Sequence, residues 1–94
     1  MKRVDPGDYL WIIVETRQGQ ESFFGVQLPT HGHVALAART KEEAEELMGR
    51  LPQAEPGTTR QVEAIHREQL KAEAAQQGWG VRIVDAAGKI LGEP

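Results

Sequence analysis

The most constraining feature of the sequence is an unbroken apolar run near its start, residues 9–14, which reads YLWIIV. The run is too short to span a membrane, which takes about 20 apolar residues. β-branched and aromatic side chains dominate it, which favours a strand over a helix. Because successive side chains of a strand point to opposite faces, both faces of this strand are apolar and both need cover. The two sets are Leu10, Ile12 and Val14 on one face, and Tyr9, Trp11 and Ile13 on the other.

Two further strands are predicted before the first helix. Residues 22–28 predict a returning strand in which Phe24, Val26 and Leu28 form an apolar face. Gly25 lies inside this strand, where glycine indicates a bulge or the close approach of another backbone. Residues 33–38 predict the next strand, after a break that begins with Pro29.

The first helix has the clearest local signal. Thr40 and Glu43 have the spacing of a capping box, in which the threonine hydroxyl bonds the Glu43 amide and the carboxylate reaches back. Pro52 ends the pattern, so we expect a helix over residues 41–51. The apolar positions recur at helical spacing and form one stripe. They are Ala44, Leu47, Met48 and Leu51.

The segment after residue 57 fits two templates equally well. In one, Thr58 caps a single long helix. In the other, residues 61–65 form a short strand and residues 67–77 a helix that Gly78 ends. We favour the strand followed by the helix. Residues 79–85 then predict a strand, and residues 89–91 an edge strand after a turn.

These elements predict a single α+β domain over residues 1–94. We expect an antiparallel or mixed sheet of four to six strands, with two helices packed on one face. Residues 1–8 and 92–94 are predicted to be loosely ordered termini.

Composition excludes several classes of function. The chain contains no cysteine, so it has neither disulfides nor thiol chemistry, and this fits a reducing cytoplasm. Its net charge is −3 and its basic residues form no run, which argues against nucleic-acid binding. The first residues are charged and contain a turn in place of an apolar signal segment. We therefore expect a cytoplasmic protein with no nucleic-acid or membrane partner.

Few residues carry candidate chemistry, and an enzymatic activity is not favoured. A metal site would depend on His31 and His33, with His66 as a third ligand. Solvated loop histidines and a packed or helix-capping His66 are the simpler interpretation. Ser22 has no accompanying histidine and acid in a known motif, and no phosphate-binding glycine pattern occurs. No catalytic residue and no cofactor are predicted.

The second face of the first strand indicates association. If both helices lie on one face, the opposite face leaves large apolar side chains in water, each worth about 1.5–3 kcal/mol when buried. A second copy or another protein would cover them, so we expect a homo-oligomer, a dimer or higher. A strongly curled sheet that covers itself is the alternative. The predicted interface residues are Tyr9, Trp11, Ile13 and Phe23.

The order of elements also resembles that of small single-domain bacterial proteins of unknown function. The resemblance rests on the strand from Val34 that leads into Thr40, on the segment from Val62, and on Gly78 followed by Trp79. It spans most of the chain, but its motifs are structural. It implies an α+β fold and a strand at residues 61–65, and it implies no activity.

The sequence thus favours a non-enzymatic, self-associating or protein-binding α+β module. A small-ligand-binding regulatory domain is the alternative, because sheets with two helices often hold metabolites at subunit boundaries. A metal-assisted hydrolase that uses His31, His33 and His66 is the third hypothesis.

Overall fold

The structure is a computed structural model that describes residues 8–94. Seven strands form one mixed sheet, and two α-helices pack on it. The elements in chain order are β1 (Tyr9–Arg17), β2 (Gln20–Phe23), β3 (Gly25–Leu28), β4 (Gly32–Ala38), α1 (Lys41–Arg50), β5 (Thr58–His66), α2 (Arg67–Gln76), β6 (Gly80–Val84) and β7 (Ile90–Gly92).

The strand β1 is the centre of the sheet. On one side β5 pairs antiparallel with its whole length, from Tyr9 opposite His66 to Arg17 opposite Thr58. On the other side β4 pairs with the first part of β1 and β2 with the last part. The strand β3 pairs with β4, β6 runs parallel to β4, and β7 pairs with β6. Within residues 8–94, β5 therefore forms an edge of the sheet.

The returning strand divides at Phe24. The backbone N–H of Phe24 donates to the carbonyl of Ile13 on β1, at 2.8 Å. The carbonyl of Phe24 accepts from the N–H of Leu36 on β4, at 3.2 Å. From this point β2 follows β1 and β3 follows β4, so the strand predicted over residues 22–28 is two strands. The next residue, Gly25, has no room for a side chain, because a Cβ there would overlap the carbonyl oxygen of Val34. The predicted close approach of another backbone at Gly25 is confirmed.

Two apolar cores lie on opposite faces of the sheet. Neighbouring residues of β1 separate into them, since Ile12 belongs to the first core and Ile13 to the second. Leu70 of α2 lies in the first core and Leu47 of α1 in the second, so each helix covers a different face. The buried residues of the first core are Leu10, Ile12, Val14, Ala37, Ile65, Leu70, Ala74 and Val81. Those of the second are Ile13, Val34, Leu36, Leu47 and Val84.

The α+β class, the mixed sheet and the two helices agree with the prediction, and the sheet has seven strands instead of four to six. The prediction that both helices lie on one face is wrong, because each helix packs in a different core, on opposite faces of the sheet.

The topology explains why the helices lie on opposite faces. Strands β4, β5 and β6 all run antiparallel to β1, and the chain crosses β1 from β4 to β5 and returns from β5 to β6. Since such crossovers are right-handed, two crossovers in opposite directions place their helices on opposite faces.

Both helices begin at side-chain caps. The Thr40 hydroxyl accepts from the N–H of Glu43 at 3.1 Å, as the capping box predicts. The Glu43 carboxylate forms an ion pair with Arg39, with 3.2 Å between Glu43 Oε2 and Arg39 Nη2. At α2, the N–H of Glu68 donates to Nδ1 of His66 at 3.2 Å. The strand at residues 61–65 followed by a helix is confirmed, and the single long helix is excluded.

The predicted loose order of the N-terminus falls largely on residues 1–7, which lie outside the described residues. At the other end, Gly92 belongs to β7, and Glu93 forms an ion pair with Arg82 at 3.2 Å. Neither of the two helices in residues 8–94 is long and apolar enough to cross a membrane.

Candidate functional site

An aromatic patch lies at the start of β1, on the face that α1 covers further along. Tyr9 is 39% exposed and Trp11 is half-buried. Opposite them on β5 lie His66 and Ala64. The His66 ring meets the Tyr9 ring edge-on, with 5.5 Å between the ring centroids, while Ala64 is exposed beside Trp11. We refer to these four residues as the aromatic patch.

The other two residues of the predicted interface, Ile13 and Phe23, are not part of this accessible surface. Ile13 is only 2% exposed and belongs to the second core, where α1 covers it with Leu47. Phe23 is half-buried and packs against the first core, on the opposite face of the sheet. The structure therefore brings Tyr9 and Trp11 together at an accessible surface and separates them from Ile13 and Phe23.

The aromatic patch continues into the free edge of β5. This strand is nine residues long, and within residues 8–94 it has a strand neighbour only on the β1 side. Natural edge strands are commonly protected by proline, lysine or short length, and β5 has none of these. Its one cation, Arg60, is held by Glu15 at 2.8 Å and by the Pro52 carbonyl at 2.7 Å. The edge is therefore a long row of backbone donors and acceptors beside a partly apolar surface.

An open groove of about 450 Å³ lies on the opposite face, beside α2. Its lining includes three carboxylates and no cation, so the groove is apolar at its floor and acidic at its rim. The floor is formed by Ile12, Val14, Phe23 and Ile65. The polar side chains of the lining are Glu21, Ser22, Glu63, Gln69, Glu73, Gln76 and Gln77.

The groove was not predicted from the sequence. Its walls come from β2 and from the consecutive elements β5 and α2, which follow much later in the chain, and no local pattern brings β2 to them. Among its lining residues, only Phe23 was predicted as a site residue, in the candidate interface. Glu21 and Glu73 have no ion-pair partner among the described residues, and Glu63 accepts a hydrogen bond from Gln61.

The three histidines occupy separate environments. His31 is exposed in the turn before β4, and His66 caps α2. His33 is half-buried, and its ring lies on the Trp79 ring with 3.9 Å between centroids and a tilt of 40°. In the part of the chain that the structure describes, no three His, Asp or Glu side chains are grouped to hold a metal ion.

The Asp85 carboxylate has a lowered pKa, and it serves a turn. The N–H groups of Lys89 and Ala87 donate to Oδ1 of Asp85 at 2.8 and 2.9 Å. These hydrogen bonds, that of Lys89 foremost, hold the pKa of Asp85 below its usual value because they favour the charged carboxylate. Asp85 closes the turn between β6 and β7 and does not line the groove.

The chain was compared with protein-family models, with curated proteins and with solved structures, and none of the three comparisons found a match.

Proposed function

We propose that this protein is a non-enzymatic cytoplasmic module that works by association through the aromatic patch and the free edge of β5. One observation carries the proposal: Tyr9 and Trp11 lie on the strand next to the long unpaired edge. Added strands bind through backbone hydrogen bonds, and neighbouring side chains supply specificity. Aromatic residues are also enriched at the centres of protein interfaces.

The test is the mass of the pure protein by gel filtration with light scattering, across low to high micromolar concentrations. We expect an oligomer that Trp11→Glu and Tyr9→Glu dissociate while circular dichroism shows a folded monomer. A matched control is Leu91→Glu, because Leu91 on β7 is 45% exposed and lies outside the aromatic patch. A wild-type protein that remains monomeric at high micromolar concentration, and that captures no protein from cells through this patch, contradicts the proposal.

A second candidate function is the binding of a small ligand in the groove, as a regulatory domain would do. The specific observation is the combination of an apolar floor with the carboxylates of Glu21, Glu63 and Glu73. Ligand sites are concave, and polar groups placed in them fix the orientation of the ligand. This lining suits a small organic cation with an apolar body, such as an alkyl or aryl amine.

Thermal shift tests this second function. We expect amines to raise the melting temperature more than carboxylic acids of the same shape. Glu73→Gln should reduce the shift, whereas Glu46→Gln, an equal charge change on the exposed side of α1, should leave it unchanged. Equal shifts for the amines and the acids, or none for either, contradict an amine site.

A further inference from the structure

The free edge of β5 presents backbone groups that can pair with the same edge of a second copy. A two-fold axis perpendicular to the sheet would place a second copy beside β5 as an antiparallel neighbour, with both α1 helices on the same face. Residues that lie opposite each other must then point to the same face. In such an arrangement one residue of β5 lies on the axis, opposite its own equivalent.

Only one choice of that residue pairs the whole strand. An axis at Val62 pairs all nine residues of β5, because Val62 is its middle residue. An axis at Arg60 or at Glu63 places two like charges directly opposite each other, which is destabilising. An axis at Gln61 or at Ala64 avoids this repulsion, but it leaves part of the strand without a partner.

The side chains also match in the register centred on Val62. Gln61 of one copy lies opposite Glu63 of the second copy, and the pair occurs twice. The same amide and carboxylate already form a hydrogen bond within one chain, so their chemistry is compatible. Arg60 lies opposite the small Ala64 of the second copy, so each Arg60 keeps its contact with Glu15.

The same register extends the second core across the boundary. Val62 lies opposite Ile13 within each chain, and it is half-buried against the second core. Pairing on the axis therefore produces an apolar row of Ile13, Val62, and the Val62 and Ile13 of the second copy. Val62 would become buried by this contact.

We propose that two copies of this chain pair antiparallel through β5, with Val62 of each copy opposite the other on a two-fold axis. This inference rests on the proposed function and specifies its partner and register. The partner is a second copy because the edge matches its own charge pattern, with no like charges directly opposed.

Cysteine substitution tests the register, since the natural sequence contains no cysteine to interfere. Directly opposite residues of antiparallel strands have Cα atoms about 4.5–5.5 Å apart, within the range of a disulfide. In the proposed register, Val62→Cys therefore forms a cross-link between copies. Ala64→Cys does not, because the two equivalents lie four residues apart along the seam, or roughly 13 Å. Gln61→Cys and the exposed Gln27→Cys on β3 serve as further controls.

The readout is the rate of dimer formation on a non-reducing gel under mild oxidation, with circular dichroism to verify folding of each variant. We expect Val62→Cys to cross-link at least tenfold faster than the other three variants. Faster cross-linking at Gln61→Cys or Ala64→Cys overturns the register. A wild-type dimer by light scattering that Trp11→Glu dissociates, but that shows no preferential cross-link along β5, overturns the inference and leaves association through the aromatic patch standing. A protein that is only monomeric removes the inference together with self-association.

Discussion

Arg60 and Glu15 face each other across β1 and β5, with 2.8 Å between Arg60 Nε and Glu15 Oε2. The side chains are only 17% and 27% exposed. The Arg60 guanidinium also lies 5.6 Å from the centroid of the Phe24 ring and donates to the Pro52 carbonyl. This one cation therefore links the central strand, the point where β2 and β3 divide, and the loop that leads into β5.

Replacing Arg60 should reduce stability measurably. We expect Arg60→Ala to lower the free energy of unfolding by about 1–3 kcal/mol, because it leaves a partly buried carboxylate without its charged partner. The matched control is Arg17→Ala, whose ion pair with Glu55 is 63% and 74% exposed. Such surface pairs contribute about 0–1 kcal/mol. Urea denaturation of both variants measures the difference, and equal losses would contradict the structural role of Arg60.

Two glycine substitutions should have opposite effects. Gly25→Ala places a Cβ against the backbone of Val34, so we expect a loss of about 1–3 kcal/mol from overpacking. Gly49 lies near the end of α1 with open space around it, and Gly49→Ala should stabilise by about 0.5–1 kcal/mol. Thermal unfolding of the two variants checks both signs. A neutral Gly25→Ala would mean that β3 and β4 can separate at little cost.

Leucine truncation tests whether the two helices cover opposite faces. Leu70 of α2 is fully buried, and Leu47 of α1 is 6% exposed. We expect Leu70→Ala and Leu47→Ala each to cost about 2–5 kcal/mol, because each leaves a cavity in its own core. Exposed Leu91→Ala is the control and should cost far less. A small effect at Leu47 would indicate that the α1 face is not a true core.

Asp85 should contribute to acid sensitivity. Its pKa is lowered in the folded protein, so its contribution to stability is present above the unfolded value, near 3.8, and is lost as pH falls through the lower folded value. We expect Asp85→Asn to be less stable than the wild type at pH 7, with the difference shrinking towards acid pH. Denaturation at several pH values measures this, and an NMR titration midpoint of Asp85 at or above 3.8 would contradict it.

Local pattern was sufficient for most elements. The alternation in residues 9–14 predicted a strand that is apolar on both faces. Both faces are covered in the middle of the strand, where Ile12 lies in the first core and Ile13 in the second. The capping residue Thr40 and the apolar stripe that contains Leu47 fixed α1. These features depend on residues a few positions apart, where steric preference and hydrogen bonding act directly.

The candidate site was predicted only in part. Tyr9 and Trp11 lie at an accessible surface, but the cover that the sequence assigned to another molecule over Ile13 is provided by α1. The groove and the free edge of β5 had no sequence signal, since both arise from strands far apart along the chain.

The sequence by itself determined which segments become strands and helices and that the first strand needs cover on both sides. Only the tertiary structure decided which face each helix covers and which strand remains at the edge. The physical reason is that crossover direction follows from strand order, and strand order depends on pairing between distant segments, such as Leu10 with Ile65. The alternation of side chains along a strand does not depend on which strand pairs with it, so this pattern carries no information about strand order.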